Sequence, residues 1–313
     1  MNLFENLLSR SLKIQPGESI GLIHDFTFRA AAQQLEDYCV ATNVSLQRVE
    51  IGYTFGQVIP DDAKKFFLDD YPPIVVLGLR ENMWHSPERK VAKYVKRKRV
   101  VNLLNPDGPC SSFAAPIETM VLVGSKLEEL LHQTRMVHIF TEAGTSLTAE
   151  VGTVFCETGD YSRPGTGGDF PAGEVGFGPV ERSVSGTVVY DLKIQHVGFV
   201  RQAPHRVVLV EDIASPVNCS DEYRRLVASH PSLNYISEIS FGINSVIAEE
   251  ENSQSIVEEK NIGTCHFGSG GNLSYGNRKG PHFDGVIMQP TVFLDGQLLM
   301  RNGVFNQDLL RLT

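Results

Sequence analysis

The texture of the chain changes near Glu142, and that change constrains the fold more than any other feature. Before it, apolar runs of strand length alternate with segments of helical spacing. Ser19–His24 is a short apolar run after the turn signal Pro16-Gly17, and Arg29–Thr42 places Ala32, Leu35, Tyr38 and Cys39 on one helical face. Val44–Ile51, Ile74–Gly78, Val100–Leu104 and Met136–Thr141 read as further strands. Asp61–Asp70 after Pro60, Pro87–Arg97 and Glu118–Thr134 read as helices. Strand–helix alternation at this spacing predicts an α/β domain with a mostly parallel sheet. After Glu142 short strand candidates are separated by Gly, Pro and Asn: Ser146–Val151, Gly186–Tyr190, Arg206–Val210 and Val286–Gln289, with one helix near Asp221–Ser229. The expected organisation is an α/β domain over residues 1–140 and a β-rich α+β metal-binding domain over 141–313, the boundary falling at 135–145.

Several function classes are disfavoured. The 313 residues carry a net charge of −9, so the basic footprint of a nucleic-acid binder is missing. One basic run, Lys90–Arg99, reads as a solvated helix face, with Val91, Tyr94 and Val95 on its apolar side. The five cysteines, Cys39, Cys110, Cys156, Cys219 and Cys265, are odd in number and contain no C-x-x-C pair, which argues against disulfides and a zinc ribbon. The N-terminal segment reads as an amphipathic helix, and no apolar run approaches the ~18 residues of a membrane span. The expectation is a cytoplasmic protein. No G-x-G-x-x-G follows the first strand and no P-loop occurs, so a nucleotide role has no anchor. The N-terminal domain is therefore expected to wall a pocket without supplying a catalytic group, with His24, at the end of its first strand, the first polar candidate.

Three C-terminal segments hold the candidates for chemistry. Glu174 lies in a Gly- and Pro-rich stretch, DFPAGEVGFGP, between apolar residues. A carboxylate in such surroundings needs a counter-charge, whether Lys, Arg or a metal. Glu238 opens the apolar stretch EISFGIN. The third segment runs from Gly263 to Gly285 and contains His266, Tyr275, Arg278, Lys279, His282 and Asp284. Residues i and i+2 of a strand share a face, so His282 and Asp284 point together with Phe283 opposite. His266, across the Gly-rich loop, supplies a third leg of a metal site. Nine His and 37 acids predict about one His-x-acid pair by chance, so the weight lies in the neighbourhood and not in the pair. Cys265, on the opposite face from His266, reads as core. Arg278 and Lys279 read as a loop tip or as partners of a substrate carboxylate.

From Glu142 onward the segments DFPAGEV, EISFGIN, GTCH and HFD, in that order, resemble the thermophilic metallopeptidase family of the aminopeptidase T and aminopeptidase S type. That resemblance implies a metal-dependent hydrolase acting on a peptide or amide bond through metal-activated water. The metal ligands would be Glu174, Glu238, His266, His282 and Asp284, with one or two Zn, Mn or Co ions per chain. Glu174 or Glu238 would serve as the base, and Tyr275 would polarise the carbonyl. The family often places its tyrosine seven residues after the Gly-Thr-x-His histidine; here Leu273 occupies that place and Tyr275 lies two further on. The same segments are similar to the 2,5-dihydroxypyridine 5,6-dioxygenases, which hold one Fe(II) through two His and one Asp, the slots of His266, His282 and Asp284. A binding protein that has kept the fold without turnover is the third alternative. The resemblance also implies a homodimer and a small peptide or small-molecule substrate.

Overall fold

The computed structural model describes residues 3–52, 58–80, 86–104, 114, 116–249 and 256–310; Cys110 lies outside them. The chain divides into two compact units, residues 1–117 with 159–172, and residues 118–158 with 173–313.

The first unit is the expected parallel layer. Strands β1 (Ser19–His24), β2 (Ser45–Glu50), β3 (Ile74–Gly78) and β4 (Arg99–Leu103) form one sheet. β1 pairs in parallel with both β2 and β3, and β3 with β4. After β4 the chain enters the second unit through β5 (Met136–Phe140) and β6 (Ser146–Glu157), then returns for β7 (Asp169–Phe170), which adds to the edge of β4. β1, β3 and β4 are buried throughout. One core cluster joins Ile20, Leu22, Ile74, Val76 and Val101 to Ala32, Leu35 and Cys39 of the helix Arg29–Ala41, as the spacing requires. At the end of β1, His24 is buried and donates from Nδ1 to the carbonyl of Asp25 at 3.0 Å.

The basic run departs from its sequence reading. Tyr94 and Val95 are exposed, whereas Arg89, Lys98 and Arg99 are buried. A wide, π-type turn at Val91–Val95 rotates the helical face, so the 3.6-residue period fails there. Lys98 Nζ donates to the carbonyls of Phe66 and Pro72, each at 2.8 Å, and Arg99 to Leu12 O and Glu18.

The second unit is a largely antiparallel sheet. Its remaining strands are β8 (Glu174–Pro179), β9 (Ser185–Tyr190), β10 (Lys193–Ile194), β11 (Gly198–Phe199), β12 (His205–Val210), β13 (Ile213–Asn218), β14 (Ile236–Gly242), β15 (Thr264–Gly270), β16 (His282–Met288), β17 (Thr291–Leu294), β18 (Gln297–Arg301) and β19 (Val304–Phe305). The main path runs β11-β10-β16-β15-β14-β8-β6-β5-β17-β18-β19, with β9, β12 and β13 branching from β6. β5 was expected in the parallel sheet. It pairs antiparallel with β6 and β17, so residue 140 falls inside this unit and not at its border. The helix Ile117–Gln133 buries Met120, Val123, Leu127 and Leu131 at three- and four-residue spacing. Among the described residues no helix is long and apolar enough to cross a membrane.

Candidate metal centre

Four neighbouring strands, in the order β8, β14, β15 and β16, carry the candidate residues. Side chains alternate between the faces of each strand. One face receives Val175, Phe177, Ile239, Phe241, Cys265, Phe267, Phe283 and Ile287, all of them buried, and forms core. The other receives Glu174, Glu238, Ser240, His266, His282 and Asp284. Register brings them together: Glu174 lies opposite Gly242, Ser240 opposite His266, Gly268 opposite both Glu238 and Asp284, and Gly270 opposite His282. The sequence reading of His282 and Asp284 on one face, with Phe283 and Cys265 turned to the core, agrees with this arrangement.

The side chains form one buried relay. His282 Nε2 is 3.1 Å from Asp284 Oδ1 and 3.5 Å from Glu238 Oε2. The other oxygen of Glu238 is 3.3 Å from His266 Nε2, which is in turn 3.2 Å from Glu174 Oε2. Lys260 Nζ closes the far end, 2.5 Å from Glu174 Oε1 and 2.7 Å from Glu259 Oε1. Ser240 Oγ donates to Glu238 Oε1 at 3.1 Å. Of the possible metal-donor sets among the described residues, three lie wholly in the second unit, the donor atoms of each within 4.8 Å of one another: Glu174, Glu238 and His266; Glu238, His282 and Asp284; and Glu259, His266 and Asp284.

Burial and charge divide the acids into two kinds. For Asp284 burial favours the neutral form, but His282, His266 and Lys260 outweigh it and hold the carboxyl well below the usual range. The same contest at Glu174, against Lys260 and His266, leaves it at about 2. At Glu238 burial wins, aided by the charge of Asp284, and its carboxyl is raised. Glu259 is raised further, by burial and by Asp284 and Glu174. Burial opposes a charge on His282, yet Asp284 and Glu238 lift it to about 9. His266 is lifted as well, against burial, by Glu259, Glu174 and Glu238.

These donors suit a divalent cation. Four carboxyls and two imidazoles converge on a site whose one lysine is engaged by Glu174 and Glu259. A metal relieves the repulsion that protons otherwise relieve. His282 Nδ1 donates to the carbonyl of Gly271 at 2.7 Å, which fixes the ring and turns Nε2 into the cluster. Asp284 joins His282 and Glu238 in one of the donor sets and His266 and Glu259 in another.

The other sequence candidates have different places. The ring of Tyr275 stacks on Phe155 with centroids 4.4 Å apart, beside Gly178 of β8. Alternation puts Gly178 on the face of Glu174, but about 13 Å along the strand. Tyr275 thus lines a cleft of about 210 Å³ with Ser237, Asn272, Asp212 and Arg278, and stands apart from the relay. The Arg278 guanidinium lies 4.2 Å over the Tyr235 ring and reaches Asp212 at 3.5 Å; Lys279 is exposed. Sequence reading passed over Glu259 and Lys260. The run Glu258-Glu259-Lys260 resembles a solvated charge cluster, and only its position just ahead of GTCH hinted otherwise.

No protein-family model and no curated protein matches the sequence. Two solved structures share its fold. One is 2,5-dihydroxypyridine dioxygenase from Pseudomonas putida KT2440, with a TM-score of 0.83 at 18% identity over 97% of this chain and 96% of that one. The other is wild-type AmpT from Thermus thermophilus, with a TM-score of 0.61 at 13% identity over 97% of this chain and 98% of that one. The chain is thus an α/β unit joined to a β-rich unit, in a fold common to both groups that its C-terminal motifs resemble. At these identities the likeness is one of fold, and the chemistry rests on the site.

Proposed function

We propose that the protein is a mononuclear non-haem iron enzyme that opens the ring of a hydroxylated pyridine with dioxygen. The observation that supports this reading best is that His266, His282 and Asp284 share one sheet face, with Asp284 in one possible donor set with His282 and in another with His266. Two imidazoles and one carboxylate are the donor set that suits Fe(II) while leaving positions open. The similar fold of a 2,5-dihydroxypyridine dioxygenase over nearly the whole of both chains supports the same substrate class. When bound, Fe(II) supplies the one-electron chemistry that lets dioxygen react with a closed-shell ring.

The protein residues bind, orient and move protons. Asp284 balances part of the metal charge, and Gly271 O keeps the His282 ring from turning. Glu238 lies between the two histidines and burial raises its carboxyl, which places it to exchange a proton during turnover. Ser240 orients that carboxyl. Phe155 and Tyr275 form an aromatic stack on the same face of the sheet.

The test is oxygen uptake. Protein purified without chelator, with oxygen excluded, and loaded with Fe(II) should consume one dioxygen per 2,5-dihydroxypyridine or a closely related hydroxypyridine. No uptake with any hydroxylated pyridine, together with peptide cleavage by Zn-, Mn- or Co-loaded protein, would overturn the proposal. That second reading, an aminopeptidase-like hydrolase, is favoured by one observation: Glu238 belongs to two of the donor sets, as a carboxylate shared by two ions would.

A further inference from the structure

We propose that Lys260 sets the number of metal ions: its ammonium fills the second cation position and limits the centre to one divalent ion. The inference rests on reading this cluster as a metal centre and is independent of the reaction performed there.

Beside an ion on His282 and Asp284, a second ion in this cluster would draw on the set Glu174, Glu238 and His266, in which Glu174 is one of two carboxylates. Lys260 Nζ already lies 2.5 Å from Glu174 Oε1 and 2.7 Å from Glu259 Oε1, and all three side chains are at most 6% exposed. A Zn ion binds a carboxylate oxygen at about 2.0–2.2 Å, so an ion on Glu174 Oε1 and this ammonium would compete for one place. In so buried a site their repulsion is weakly screened.

The ammonium is held from behind. Lys260 ends the tight turn Val257–Lys260, and its carbonyl accepts from Asn244 N at 2.9 Å. Two residues earlier, Glu258 takes Lys193 Nζ on both oxygens, each at 2.9 Å, in a fully buried pair. Glu258 and Lys260 therefore anchor the turn to different partners, and Lys260 cannot leave Glu174 without loss of that packing. The geometry makes Glu174 a counter-ion to a lysine, and leaves His266, His282 and Asp284 to take the metal.

The experiment counts metal, with Mn(II) as the probe. Wild-type protein saturated with Mn(II) should hold one ion per chain by mass spectrometry, with the paramagnetic resonance of an isolated ion. Lys260→Gln should hold two, with the signal of a coupled pair, and Lys260→Arg should hold one. Lys260→Gln combined with Glu259→Gln removes both partners of the Lys260–Glu259 contact, guards against misfolding of the single variant, and should also hold two. Mn(II) should raise the melting temperature of either Gln-containing variant more than that of wild type. Two ions in wild type, or one ion in the folded Gln variants, would overturn the proposal. One ion in wild type without oxygen uptake would overturn only the dioxygenase reading; two ions with oxygen uptake would overturn only the role of Lys260.

Discussion

His282 Nε2 lies 3.1 Å from Asp284 Oδ1, two residues along one strand, while the other ring nitrogen of His282 is committed to the carbonyl of Gly271. The pair is thus a preset ligand arm: Asp284 accepts from the protonated Nε2, the proton a metal would replace, and the bond to Gly271 holds the ring. Asp284→Ala should lower bound metal at least tenfold while the far-ultraviolet circular dichroism spectrum stays that of the wild type. Full metal content in that variant would remove Asp284 from the ligand set.

The same pair gives a pH dependence with opposite signs for stability and for metal binding. The folded state raises His282 from its ordinary value of 6.5 to about 9. A raised folded-state pKa means that the pair's stabilisation is complete below pH 6.5 and is lost as pH rises through about 9. Metal must displace that proton, so affinity should rise across the same window, by up to about tenfold per pH unit for each proton released. Metal-free protein should show a melting temperature that falls between pH 7 and 9, while Mn(II) binding tightens. His282→Gln should flatten both trends in difference measurements against wild type. A Mn(II) affinity independent of pH would mean that His282 is not the proton that metal replaces.

Glu238 separates the two chemical readings. As the acid–base group of a one-metal site, Glu238→Gln should retain the metal and lower oxygen uptake by about 10²–10⁴-fold. As a carboxylate shared by two ions, the same change should strip metal as well. Metal content and turnover measured on one preparation distinguish the cases, and loss of both in parallel would favour the two-ion hydrolase.

The parts legible in the sequence were those that depend on local period. His282 and Asp284 share a face because strands alternate, and the buried run Ile74–Gly78 needs no partner to be recognised as a strand. Partnership was not legible. The strand at Met136–Phe140 was found, but nothing local says that its hydrogen bonds go antiparallel to β6 and β17. Lys260 pairs with Glu174 across 86 residues, so Glu259 and Lys260 carry no local mark of burial. Lys98 and Arg99 show the same limit: their charges are satisfied by carbonyls of Phe66, Pro72 and Leu12, which only the fold brings near.

Gly268 is the remaining requirement of the centre. It lies on β15 between Glu238 and Asp284, on the face of the relay. A methyl group added there would stand 2.6 Å from His282 Cε1, 2.8 Å from His282 Nε2 and 2.7 Å from Glu238 Cβ. The ring of His282 cannot retreat while its Nδ1 stays on Gly271, so relief must come from the ring leaving that carbonyl or from β15 moving away. Overpacking of this kind costs about 1–3 kcal/mol. Displacing an oriented ligand typically lowers metal affinity about 10–100-fold. Gly268→Ala should therefore fold with a reduced melting temperature and bind Mn(II) at least tenfold more weakly. Gly52→Ala is the control, since an added methyl there meets nothing within 4 Å, and it should leave Mn(II) binding unchanged. Wild-type affinity in Gly268→Ala, measured by titration calorimetry, would show that the metal does not sit against this face of His282.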